Sequence, residues 1–107
     1  MDNAFKYIKA VGGDDTEQSY PYTARDGICH FSRSNVGATL IGYKDIPEGD
    51  CDALKEAAHN IGPISVATDA SQKSFQLYRE GVYDPLICSS TKLDHGVLVV
   101  GYGTQDG

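Results

Sequence analysis

At 107 residues, with 40% hydrophobic and 22% charged side chains, the chain has the length and balance of one small globular domain, whose core is expected to withdraw about two thirds of its unfolded surface from water. Nine Lys+Arg against fifteen Asp+Glu leave a net charge of −6, and the basic residues are scattered, which argues against a nucleic-acid partner. No run approaches the ~18 apolar residues of a membrane span, no charged-then-apolar signal segment opens the chain, and Met1 need not be a natural start.

Residues 2–10 predict a helix, because Ala4, Phe5, Ile8 and Val11 recur at three- and four-residue spacing, and Gly12-Gly13 stops it. Residues 14–35 lack periodicity and carry turn signals at Tyr20-Pro21 and Asp26-Gly27, so a long loop is expected there. The aromatic residues Tyr20, Tyr22, Phe31 and Tyr43 predict that this loop is ordered by packing. Residues 38–46 read as a strand closed by Pro47 and Gly49. A second helix follows: Asp50 can cap it, Asp52 suits the positive end of its dipole, and Leu54, Ala57, Ala58 and Ile61 share one face. Gly62-Pro63 ends it.

Residues 64–68 alternate as a strand, and a short helix is expected from about Ser71 to Glu80, with Phe75 and Tyr78 on one side. The run from Val97 to Val100, bounded by glycines, suits a strand buried on both faces, and the turn signal from Gly103 to Gly107 predicts a hairpin partner after it. Strands and short helices mix without βαβ alternation, so the fold class is α+β.

Three histidines and three cysteines carry the candidate chemistry. His95 stands at the mouth of the best strand, with Asp94 before it and Gly96 after it, the setting of a general base held on a rigid element. His30 and His59 lack such a setting and read as surface residues. No serine sits in a Gly-x-Ser-x-Gly elbow, the glycines around residues 96–103 flank a strand and do not open a helix, and the carboxylates are unclustered. No metal or cofactor is therefore expected. Cys29, Cys51 and Cys88 form no C-x-x-C pair, which disfavours structural zinc. They are either ordinary thiols or, in an oxidising compartment, thiols with partners elsewhere.

The run Leu93-Asp94-His95-Gly96-Val97-Leu98-Val99-Val100-Gly101-Tyr102-Gly103 resembles the histidine motif of papain-like cysteine peptidases, nearest to the cathepsin L group. Met1 to Ile8, Glu17-Gln18-Ser19-Tyr20-Pro21-Tyr22, Gly62 to Ala67, Ser74-Phe75 with Tyr78, and Glu80-Gly81-Val82-Tyr83 resemble the same family in the same order. The resemblance implies a papain-like two-domain fold, here incomplete, with residues 1–35 in the helical domain and interdomain loop and residues 36–107 in a truncated β-barrel-like domain. It implies that His95 is the catalytic histidine and that the nucleophilic cysteine and the orienting asparagine lie outside these residues. Cys29 and Cys88 become halves of disulfides with partners elsewhere. Cys51, in the first turn of a helix, has no counterpart in the family, and an incidental solvent-facing thiol is favoured over a reactive one.

By the same carry-over, Met1, Ala67 and Leu93 line the pocket for the side chain two residues before the scissile bond, Asp94 lies along the cleft with mainly backbone contacts, and Ala70 borders the leaving side. Ala67 could equally be core. The implied partners are peptide substrates, cystatin-type inhibitors and the enzyme's own pro-segment, and the complete enzyme is expected to be monomeric. The implied compartment is lysosomal or extracellular, although no N-x-S/T acceptor supports it. Two rival readings remain: a silicatein-like homologue with serine as nucleophile, and a fragment acting as a binding or inhibitory module.

Overall fold

The computed structural model describes all residues from Met1 to Gly107, which form two compact units, Met1–Asp45 and Ile46–Gly107. No helix is long and apolar enough to cross a membrane.

In the first unit, helix α1 spans Asp2–Val11 and ends as expected: Gly12 takes a left-handed conformation (φ 94°), and its N–H and that of Gly13 both donate to the Ile8 carbonyl. Phe5, Ile8 and Val11 are half-buried on one face, where Phe5 stacks on Tyr43 with centroids 5.5 Å apart. The region expected as pure loop contains a two-residue strand, β1 (Asp14–Asp15), and a 3-10 turn at Arg33–Asn35 that leads into β2 (Val36–Ala38). β1 and β2 pair antiparallel, Asp14 with Ala38 and Asp15 with Val36. Gly13 permits this: its φ is +150°, and a Cβ there would collide with Val36 and stand 2.8 Å from the Ala38 carbonyl oxygen.

The loop between them is ordered by side chains. Asp15 Oδ2 accepts the Ser32 N–H at 2.9 Å, and the Tyr20 hydroxyl accepts the His30 N–H at 3.2 Å. Tyr7 meets Phe31 edge-on at 6.4 Å. Tyr22, expected to pack, is instead 84% exposed. The strand expected over residues 38–46 does not form beyond Ala38, because those residues find no partner backbone to bond.

In the second unit, helix α2 spans Cys51–Asn60, and Asp50 Oδ1 accepts the Ala53 N–H at 2.9 Å, the cap that its sequence position predicts. In the full-length protein, Asp50→Ala should cost about 1 kcal/mol and lower the Tm by about 2–4 °C. An unchanged Tm would mean that packing alone holds α2.

Strand β3 (Ile64–Thr68) alternates as expected, with Ile64, Val66 and Thr68 half-buried and Ser65 and Ala67 exposed. The helix expected over residues 71–80 is a single turn, α3 (Lys73–Gln76). Past Leu77 the chain turns back. The Tyr78 hydroxyl donates to the Gly81 carbonyl, and its ring meets Tyr83 at 6.1 Å. Those contacts outweigh the propensity of residues 77–80 for helix. Strand β4 (His95–Val99) pairs antiparallel with β3, from Ile64 opposite Val99 to Thr68 opposite His95.

Neither face of β4 is covered within these residues, contrary to the buried strand expected: only Val99 is half-buried. The same holds more widely, since no hydrophobic side chain in the chain is fully buried. The accessible surface is 9246 Å², against about 5,800 Å² for a folded monomer of this mass. A little under half of the extended chain's surface is thus withdrawn from water, short of the roughly two thirds expected from length.

Candidate active site

His95 opens β4, and its backbone is fixed by register with Thr68. One residue earlier, the Asp94 N–H donates to the Thr68 carbonyl at 3.1 Å, which carries the ladder beyond the strand proper. The Asp94 carboxylate turns across to accept the Ala70 N–H at 2.8 Å. The N–H and the carboxylate of Asp94 are thus both engaged.

Ala70, Asp94 and His95 are therefore brought together. With Phe75 and Gln76 they line a cavity of about 420 Å³. Phe75 presents its ring edge-on to the His95 imidazole, with centroids 6.4 Å apart and planes at 74°. Phe75 is backed in turn by Tyr83 at 5.6 Å, whose hydroxyl lies 2.7 Å from the Ser74 hydroxyl. A chain of aromatic contacts thus runs from Tyr78 through Tyr83 and Phe75 to His95. Sequence reasoning grouped Phe75 and Tyr78 on one helix side but did not connect them to the histidine.

The residues around the paired strands separate by face. Opposed residues of an antiparallel pair share a face, so Thr68 and His95 lie on one side of the sheet and Ala67 and Gly96 on the other. Ala67 is exposed. Gly96 stands directly opposite, and nothing lies within 4 Å of where its Cβ would be. The two leave an open, side-chain-poor surface. The pairing of Gly96 with Ala67 follows from the antiparallel register, which the sequence does not state. Leu93 is 46% exposed and lines a second cavity of about 630 Å³, together with Asp69, Ile87, Cys88 and Lys92. Met1 belongs to the first unit, at the start of α1, and is exposed.

Cys29, Cys51 and Cys88 are exposed and unpaired with one another. The Tyr7 hydroxyl lies 3.4 Å from Cys29 Sγ, and this hydrogen bond lowers the thiol's pKa from its ordinary value while raising that of Tyr7. Cys88 donates weakly to the Ser89 carbonyl, and neither bond links a thiol to His95. No group of three or more His, Cys, Asp or Glu side chains converges as a metal site.

Comparison with known proteins bears on this arrangement directly. Residues 1–107 match the family model described as papain family cysteine protease. The chain is 59% identical over 106 residues to a cathepsin L of Sarcophaga peregrina, covering 99% of this chain and 31% of that protein. It is 53% identical over 107 residues to digestive cysteine proteinase 1 of Homarus americanus, covering all of this chain and 33% of that one. Among solved structures, digestive procathepsin L 3 from the larval midgut of Tenebrio molitor superposes with a TM-score of 0.92 at 43% identity, over 100% of this chain and 34% of its own. The chain spans about a third of the length of the relatives it matches. It belongs to the papain family of cysteine proteases, and its helices and sheets are an incomplete portion of that family's α+β fold.

Proposed function

We propose that the complete protein is a cathepsin L-like cysteine endopeptidase in which His95 is the general base and acid. The observation that carries this reading is the placement of His95: at the head of a strand, beside the Asp94–Ala70 hydrogen bond and lining an open cavity, in a chain of the papain family. A thiol from outside these residues gives its proton to the imidazole, and the thiolate attacks the peptide carbonyl to form a thioester. His95 returns the proton to the leaving amine. Water, deprotonated by the same imidazole, then hydrolyses the thioester. The thiolate–imidazolium pair favours its own ionisation by charge.

Ala67 and Leu93 serve the pocket for a bulky apolar side chain two residues before the scissile bond, with Met1 joining them by family resemblance. Ala70 borders the leaving side. Residues 1–35 lie on the helical side of the enzyme and residues 36–107 on the barrel side. Cys29 and Cys88 form disulfides with cysteines elsewhere, in a secreted or lysosomal protein made with a pro-segment. That segment and cystatin-type inhibitors are its partners, and the complete enzyme is a monomer.

Assay of the full-length enzyme on short peptide amides tests this. Cleavage should require a thiol, be blocked by thiol alkylation, and favour leucine or phenylalanine over lysine at that position. Ala67→Glu should reduce kcat/KM for the leucine substrate about tenfold or more, since a buried carboxylate beside an apolar side chain loses hydration without a partner. Equal rates for leucine and lysine substrates would remove the pocket assignment, and cleavage indifferent to alkylation would remove the mechanism.

A further inference from the structure

Asp69 is the buried charged side chain of the chain, with 6% of its surface exposed. A carboxylate withdrawn from water needs donors in place of its hydration, and here three are supplied. Oδ1 accepts the Ser71 hydroxyl at 2.6 Å and the Ser71 N–H at 3.0 Å, while Oδ2 accepts the Ser89 N–H at 2.9 Å. The Ser71 hydroxyl, then the two N–H groups, hold the Asp69 carboxyl below the usual carboxylate range. The bonds to Ser71 are local. The bond to Ser89 reaches twenty residues along the chain and ties the turn after β3 to the loop that feeds β4.

That loop passes the constraint along. Ser89 Oγ accepts the N–H groups of Thr91 at 3.2 Å and Lys92 at 2.8 Å. Asp94 then closes the loop from the other end, through its N–H to Thr68 and its carboxylate from Ala70. The backbone donors of residues 89, 91, 92 and 94 are therefore all engaged on the approach to His95, and the two long tethers, from Asp69 and Asp94, both anchor on residues 68–70. Lys92 and Asp94 are the other charged groups lining the cavity beside Asp69.

We propose that Asp69 is a positioning residue for His95: its carboxylate locks the loop of residues 88–94 onto the end of β3 and so sets where the imidazole stands at the cleft. The inference rests on the peptidase reading above. Asp69 acts through the backbone: its hydrogen bonds go to Ser71 and Ser89 and none reaches the imidazole.

The test uses the full-length enzyme with Asp69→Ala, Asp69→Asn and Ser71→Ala, the last removing one donor from Asp69 while leaving its carboxylate in place. Rates are expressed per active site titrated with an irreversible thiol-directed inhibitor, so that lost folded protein does not count. Asp69→Ala should lower kcat about 10- to 100-fold with KM within about twofold. The acid limb of the kcat/KM profile, which reports formation of the thiolate–imidazolium pair, should move up by about one pH unit. Asp69→Asn should fall between, because its amide offers one accepting oxygen and turns an NH2 toward a donor. Ser71→Ala, the mildest change, decides the matter if the others fail to fold, and it should move both readouts in the same direction. A normal kcat per titrated site with an unmoved acid limb would overturn the proposal, even if the yield of folded enzyme drops. Histidine ring signals in the NMR spectrum provide an arm that does not depend on turnover. The His95 signals should shift or broaden in the variants, and unchanged signals would overturn the positioning role. Absence of thiol-dependent cleavage in the unaltered enzyme would instead overturn the peptidase reading, leaving that spectrum to decide the role of Asp69.

Discussion

His95→Ala in the full-length enzyme is expected to lower kcat/KM by about 10³-fold or more while leaving the fold intact. The large effect follows from the two jobs of one group. Without the imidazole, the thiol returns toward its ordinary pKa of about 8.5 and is mostly protonated at neutral pH, and the leaving amine loses its proton donor. The small structural effect follows from the surroundings. His95 is exposed, its ladder bonds to β3 are made by backbone that alanine retains, and the contact forfeited is one aromatic edge against Phe75. The Tm should move by no more than the few degrees of an ordinary surface substitution. Alkylation by iodoacetamide at pH 6 should slow in step with turnover, since it reads the thiolate directly. Near-normal turnover, or unslowed alkylation at that pH, would sink the assignment of His95.

The 107-residue chain by itself should be catalytically silent and should lack a cooperative thermal transition. It exposes about 3,400 Å² more than a folded monomer of its mass, and it buries no hydrophobic side chain fully. Ile28, Ile41, Leu86 and Ile87 are each at least 75% exposed, so much apolar surface is free to bind a hydrophobic dye. Two-stranded sheets with bare faces are marginal in water. The purified chain should therefore melt broadly, bind the dye at low temperature and leave peptide amides uncut. A sharp two-state melt from a monodisperse monomer would contradict this, and thiol-dependent cleavage would contradict it more strongly.

What the sequence disclosed and what it withheld divide by range. Helix α2 was legible to its cap, because Asp50 and the Ala53 N–H it binds are three residues apart. The alternation of β3 was legible for the same reason. Three expectations failed, two of them where distant partners decide the outcome. Residues 39–46 have strand-like composition but no strand to pair with. Residues 77–80 leave the helix because Tyr78 and Tyr83 meet. The run from Val97 to Val100 reads as buried, yet what would bury it is not within the chain. At the site, His95 and Asp94 were legible through the motif around them. Asp69 was not, because the role proposed for it depends on a bond to Ser89, twenty residues away.

Strand β4 has a consequence for handling the protein. From Gly96 to Gly101 it carries neither charge nor proline, most of its side chains face water, and in a two-stranded sheet only one of its edges is bonded. A second copy of the same segment can add to the open edge and continue the ladder, the first step of cross-β association. Lys92, Asp94 and His95 interrupt the apolar stretch at one end, while Gly101 to Gly103 leaves the other without a charged guard. The soluble fraction of the 107-residue chain should therefore fall as its concentration rises, and Leu98→Lys should relieve that loss.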